Sequence, residues 1–412
     1  MAHNTIFIDG VEFTADKKML VRFPADSNIR EYIVPDGVTK IGKNAFDRCE
    51  NLESIILPDG VKRIDEFAFG TCKKLKSIIL PDSISKIENC AFFHCESLKA
   101  IVIPEGVKDI FGQTFYYCQS LESVVLPKNL IKIEYSAFEG CTKLASISIP
   151  ASIKEIDEGA FAKTSVKIKI ANPKFIVDEQ GALIDKSSHT LLYVPDTCVE
   201  YIVPADVTKI GSDAFSCNKN LESVIIHDKV KDIGDHAFFY CENLKSVNIP
   251  HGITTIKDRT FMRCAIENII IPDSVTIIEN YAFAGCINLK SITIPEGVTT
   301  ILGGAFIGCE NATCVVLPNS ITYIGWQVFE GCEKLETIIF PGSISCISPQ
   351  VCQECKNLKS VIISEGIEEI GSYAFCGCSK LESVVIPDSL IEIGHYAFNG
   401  CPCNTQIVEK NY

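Results

Sequence analysis

The chain has 412 residues, 21 of them cysteine, and a formal net charge of −14. Its 52 acidic residues outnumber 38 basic ones and no basic run stands out, which argues against a nucleic-acid binder. With 47% hydrophobic and 22% charged residues it is not a disordered chain, and at this length it needs no disulfide staples to hold a core.

The chain opens on MAHNTIFIDGVEFTADKK, which has no basic start leading into an apolar run. No apolar stretch anywhere is long enough to cross a membrane as a helix. Neither a secretory signal nor a transmembrane segment is therefore expected, and the sequence alone places the chain in the cytoplasm or on an unusual export route. Residues 1–26 read as a β-hairpin cap through GVEFTADKKMLVRFP.

A repeat follows. Cysteines fall at Cys49, Cys72, Cys95, Cys118 and Cys141 in steps of 23, and the series resumes at Cys241 and Cys264. After one 22-residue step it continues from Cys286 to Cys401. Six units occupy 27–164 and nine occupy 196–401. The isoleucine five places before the phenylalanine stands in all 15 units, Ile41 to Ile393; the phenylalanine stands in 14, and Cys352 is the exception. A coil of 23 residues cannot bury its own apolar side, so coils must stack and each position must become a column.

Within ESIILP, alternation turns Leu52, Ile55 and Leu57 inward and Ser54 and Ile56 outward. Pro58 ends the strand, because it cannot donate to a ladder, and Asp59-Gly60 turns the chain. A second short extended segment sends Val61 and Ile64 inward. The next residues, EFAF, are expected as a tight helical or 3₁₀ corner that drives Phe69 into the core, closed by Cys72.

The strand ending in proline, the constant isoleucine, the Ala-Phe pair and the Cys-x-x-Leu step resemble the leucine-rich repeats of the BspA-like type over nearly the whole chain. The resemblance implies a leucine-rich-repeat solenoid: a right-handed curved superhelix with a parallel β-sheet on its concave face, short second strands and two β-hairpin insertions. It also implies a non-catalytic adhesin or ligand-binding scaffold at a cell surface or secreted. An intracellular protein-interaction scaffold is the alternative that the missing signal favours.

The repeat breaks once, at 165–195, where a strand and a second hairpin, GALIDKSSHTLLYVP, copy the plan of the N-terminus. Both hairpins are read as caps or spacers, or else as ligand-contacting protrusions. Residues 402–412 are expected as a capping strand and tail, with Asn404 and Glu409 where core leucines would stand and Ile407 in its usual place.

Function is expected on the outward columns. Two residues before each strand-ending slot, 12 of 15 units carry Val or Ile; the candidate binding stripe is Ile56, Ile79, Val102, Val125, Ile225, Ile270, Val316, Ile339, Ile362 and Val385. Ser148, Asn248 and Thr293 interrupt it. Four before the slot, nine of 15 are serine, and five before it charges alternate, as in Glu222, Lys245, Glu267 and Lys290. Stacked β-branched side chains and alternating charges also serve the ladder itself, so the stripe is read both as packing and as a groove for a protein or cell-surface macromolecule. Trp326, with Tyr323 nearby, is a possible contact aromatic or a cover for the core edge.

No nucleophile–base pair, metal-binding spacing, calcium loop or phosphate-binding glycine loop is present, so no catalytic residue, metal or cofactor is expected. The 13 column cysteines read as small buried residues. Cys352-x-x-Cys355 followed by Cys376-x-Cys378 has zinc-like spacing, but those slots face directions that do not converge. The solenoid is expected to act as a monomer.

Overall fold

In a computed structural model that describes residues 4–402, the chain is a β-solenoid of stacked coils joined by parallel strands, with no helix among the described residues. The C-terminal cap expected around Asn404, Ile407 and Glu409 lies outside them. The chain divides into two compact units, Met1–Asp196 and Thr197–Tyr412.

Each coil contributes a first strand, such as Ser54–Ile56, and a two-residue second strand, such as Arg63–Ile64. Both pair in parallel with the same strands of the next coil, in strict register: Ser54 opposite Ser77, Ile56 opposite Ile79, Ile64 opposite Ile87. A period of 23 keeps every inward residue on an inward residue, and one-residue slippage would turn the whole apolar set outward.

The corner differs from the expected 3₁₀ or helical turn. Residues 42–49 form consecutive turns in which alternate N–H groups stay local: Ala45 donates to the Gly42 carbonyl at 3.1 Å and Cys49 to that of Phe46 at 3.1 Å. The intervening ones cross to the next coil: Asn44 to the Glu66 carbonyl (3.1 Å), Phe46 to Ala68 (2.7 Å) and Arg48 to Gly70 (2.8 Å). A helix would aim all of these donors along its own axis. Left-handed φ angles at Asn44 (56°) and Arg48 (60°) rotate the chain so that alternate donors face the neighbour. The conformation costs about 1–2 kcal/mol for a non-glycine residue, and the inter-coil bonds offset it.

The phenylalanine column forms a ring ladder. In the first unit Phe23, Phe46, Phe69, Phe92, Phe115, Phe138 and Phe161 stack with centroids 5.1–5.6 Å apart. The ladder starts one residue set earlier than the repeats, because Phe23 of the N-terminal segment donates its N–H to the Ala45 carbonyl as the column phenylalanines do. That segment is three antiparallel strands, Thr5–Ile8, Val11–Thr14 and Met19–Arg22, and the last pairs in parallel with Lys40–Ile41. At the other end of the first unit, the strands Phe175–Val177, Leu183–Asp185 and Thr190–Tyr193 also pair antiparallel. Tyr193 there meets Phe161 edge-on at 6.1 Å.

In the second unit the column runs from Phe215 to Phe329 at 4.8–6.0 Å. At the next coil Cys352 leaves a ring out. In the same coil Phe340 occupies a position held elsewhere by Leu, Ile or Val, and it meets Phe375 edge-on at 6.1 Å. Both residues are fully buried. The short 22-residue step also has a structural cost. Cys264-Ala265-Ile266 lacks one residue relative to Cys241-Glu242-Asn243-Leu244. Residues 266–271 then form no strand, although Ile266 and Ile271 remain buried.

Candidate functional site

All ten stripe residues are exposed, from 39% at Ile362 to 85% at Ile270. In the first unit Ile56 and Ile79 lie on adjacent strands, preceded by Ile33, and Val102 lies beside Val125. In the second unit Ile225 lies beside Ile202, and Ile339, Ile362 and Val385 form a run of three. The irregular places along the stripe differ in setting, and Thr293 lies beside Val316 in an unbroken ladder. In the first unit Ser148 pairs with Lys169 of the strand Lys167–Ile170. The Asn248 side chain takes over the ladder, accepting from the Ile226 N–H (2.8 Å) and donating to the Ile226 carbonyl (2.6 Å). Ile270 sits in the segment that lost its strand.

Beside the stripe runs the serine column, with Ser54 opposite Ser77 and Ser360 opposite Ser383. Cys314 stands in this column, and it is the exposed thiol among the described residues. The outermost column is ion-paired between coils: Glu53–Lys76 at 2.6 Å, Glu222–Lys245 at 3.1 Å, Glu267–Lys290 at 2.5 Å and Glu336–Lys359 at 3.0 Å. The arrangement is an aliphatic strip flanked by small hydroxyls and a rim whose charges are in large part paired.

Trp326 and Tyr323 are both partly exposed but are not a pair. A Cβ on Gly303 would lie 2.7 Å from the Trp326 indole, so that ring rests against the glycine backbone, and its ring neighbour is Tyr281 at 6.0 Å. Trp326 remains 43% exposed. It covers the corner and presents an edge.

The cysteine column does more than fill space. Twelve of its thiols donate to the carbonyl of the column residue in the preceding coil, at 3.0–3.5 Å. The Phe46 carbonyl thus accepts from the Cys49 N–H and from the Cys72 thiol, and both lone pairs are used. Where Thr164 replaces the cysteine, the Tyr193 hydroxyl donates to the Thr164 carbonyl at 3.0 Å. Burial pushes the Cys118 and Cys286 thiols up to about 12, the opposite of an activated nucleophile. Cys352, Cys355 and Cys378 are buried while Cys376 is half-buried. Cys378 donates to the Cys352 carbonyl and Cys355 to that of Phe329, so these two thiols serve separate acceptors. Among the described residues no group of three His, Cys, Asp or Glu side chains could hold a metal ion.

Sequence analysis missed two outward columns, the residues one and two places after the column phenylalanine. In the first unit they carry stacked pairs, Phe93 on Tyr116 (5.0 Å) and His94 on Tyr117 (5.2 Å). In the second unit the Arg263 guanidinium lies over the Tyr240 ring at 5.1 Å. Reading those two places down the repeats would have found them.

No helix among the described residues is long and apolar enough to cross a membrane. A comparison with curated proteins gives no match. Among solved structures, a leucine-rich cell surface protein of Faecalibacterium prausnitzii is 27% identical, with 87% of this chain and 94% of that one covered at a TM-score of 0.60. The pneumococcal vaccine antigen PcpA shares the fold at 19% identity, 95% and 98% coverage and a TM-score of 0.57. The sequence profile of the BspA type leucine rich repeat region matches residues 23–119, 109–203, 196–289 and 276–405. With its coils, columns and corners accounted for along that whole span, the chain belongs to the BspA-type leucine-rich repeat family.

Proposed function

We propose that the chain is a non-catalytic repeat protein that binds a protein partner, in adhesion or at a cell surface, through the face of its first strands. The observation carrying this reading is the aliphatic stripe, with isoleucine and valine side chains held in register and open to solvent on both units. Ladder packing alone needs β-branched shape, which threonine also supplies; the persistence of Val and Ile favours a surface meant to be covered. Many of the flanking charges already pair between coils, so a partner meets few unpaired charges beside the stripe. The cell-surface relative at 27% identity supports the setting.

The test replaces Ile225, Ile270 and Ile339 with aspartate together. Burying each isoleucine under a partner is worth about 1–2 kcal/mol, so losing three should weaken binding by about 100-fold or more. Affinity enrichment with the intact chain and with the triple variant, its fold checked by circular dichroism, compares the partners retained. A partner held equally by both would remove the stripe as the binding face.

A further inference from the structure

The one-residue deletion at Cys264-Ala265-Ile266 coincides with a hollow of about 490 Å³ on the corner side of the second unit. Its lining includes Met262, Arg263, Ala284, Gly285, Ile287 and Gly308, with Glu242 and Glu310 at the rim. The hollow lies in the two columns that carry stacked planar groups elsewhere. His94 and Tyr117 stack one coil apart with planes 14° from parallel, and the Arg263 guanidinium lies over the Tyr240 ring at 5.1 Å. The next two places in this column are Gly285 and Gly308. The guanidinium therefore has a ring on one side and glycine on the other. Arg263 makes no ion pair among the described residues. A Cβ built on Gly308 would meet only the Gly285 backbone, at 3.9 Å. Glycine is common in this column, but among the described residues only here do a shortened turn, a run of glycines and an arginine covered on one face meet at one cavity.

We propose that this hollow receives an aromatic side chain of a bound polypeptide. The ring continues the column, stacked on the open face of the Arg263 guanidinium at about the spacing of one coil, with Met262, Ala284 and Ile307 as its apolar wall. Glu310, together with Glu242, which Lys219 also approaches at 3.8 Å, favours basic residues flanking that aromatic residue.

The test titrates the full chain with three capped tripeptides, Lys-Trp-Lys, Lys-Leu-Lys and Glu-Trp-Glu, and follows the amide signals of Gly285 and Gly308 by NMR. Lys-Trp-Lys should saturate, bind about fivefold or more tighter than Lys-Leu-Lys, and about threefold or more tighter than Glu-Trp-Glu. Gly308→Tyr fills the hollow with the chain's own ring, at a φ of 68° close to the 56° that Tyr240 adopts in the same column. It should remove the response while the rest of the spectrum persists. Should that variant not fold, Arg263→Ala, on an exposed residue, should weaken Lys-Trp-Lys about threefold or more. Equal affinity for the Trp and Leu peptides, or binding unchanged in a folded Gly308→Tyr or Arg263→Ala protein, overturns the proposal. The stripe variant Ile225→Asp/Ile270→Asp/Ile339→Asp should bind Lys-Trp-Lys normally, which separates this site from the first-strand face.

Discussion

The missing ring at Cys352 offers a stringent test of the packing described here. Phe375 has no column ring beneath it in the preceding coil, and Phe340 supplies one edge-on from the strand side at 6.1 Å. Phe340→Leu removes buried carbons and this contact, at a cost of about 2 kcal/mol. Cys352→Phe alone puts a second ring into a filled coil, and overpacking costs about 1–3 kcal/mol. Together the two changes restore the arrangement of the other coils, with Leu at the strand end and a ring between Phe329 and Phe375. The double variant should then be near the parent in stability, with a coupling energy of about 3 kcal/mol. Trp326, the single tryptophan, lies one coil away, and its Gln327 neighbour donates to the Pro349 carbonyl at 3.2 Å, so its fluorescence reports on this region during urea unfolding. Additivity of the two single losses to within about 0.5 kcal/mol would refute the compensation.

Three further outcomes follow from the columns. The Cys118 and Cys286 thiols rise by burial from 9.0 to about 12, so the folded state keeps protons that the unfolded chain releases. The stability they contribute is whole below pH 9 and is lost as pH rises through about 12, at up to about 1.4 kcal/mol per pH unit for each thiol; a urea midpoint unchanged between pH 7 and about pH 10.5 would contradict this. Cys95→Ala removes the thiol bond to the Phe69 carbonyl (3.1 Å) and should lower stability by about 1–2 kcal/mol in the same assay, whereas a neutral result would return the cysteine to packing alone. Lys245→Glu replaces the partner of Glu222 on an exposed rim and should cost less than about 1 kcal/mol, a loss that shrinks in about 0.5 M salt; a salt-independent loss would point to packing instead.

What the sequence disclosed was periodic. Fifteen copies of one coil fix which residues share a column, so Ile56, Ile79 and the rest of the stripe could be placed outward without coordinates, and all ten prove exposed. The corner was not legible in this way. Its left-handed positions hold Asn44, Phe67, Cys90, Gln113 and Ser136 in successive coils, residues with no common preference for positive φ. The conformation is imposed by where the N–H must point, which is a property of two coils and not of one. The thiol-to-carbonyl bonds escaped for the same reason, since Cys72 and Phe46 are 26 residues apart and neither is polar in the usual sense. Phe340 was hidden because its partner in compensation, Cys352, reads as an exception by itself. The hollow beside Arg263 needed two facts at once, a turn one residue short and glycine in the next two coils.

The paired rim has a consequence for how such a chain can lengthen. Through Glu222, Lys245, Glu267 and Lys290, sign alternates from coil to coil, and each lysine holds a glutamate of its neighbour. Losing or duplicating one coil inside this stretch would leave two carboxylates or two ammonium groups facing each other; losing or duplicating two would leave every pair intact. Within this stretch the rim therefore favours gain or loss of coils in pairs. Thr313, neutral and next in the series, is where the count can restart before Glu336 and Lys359.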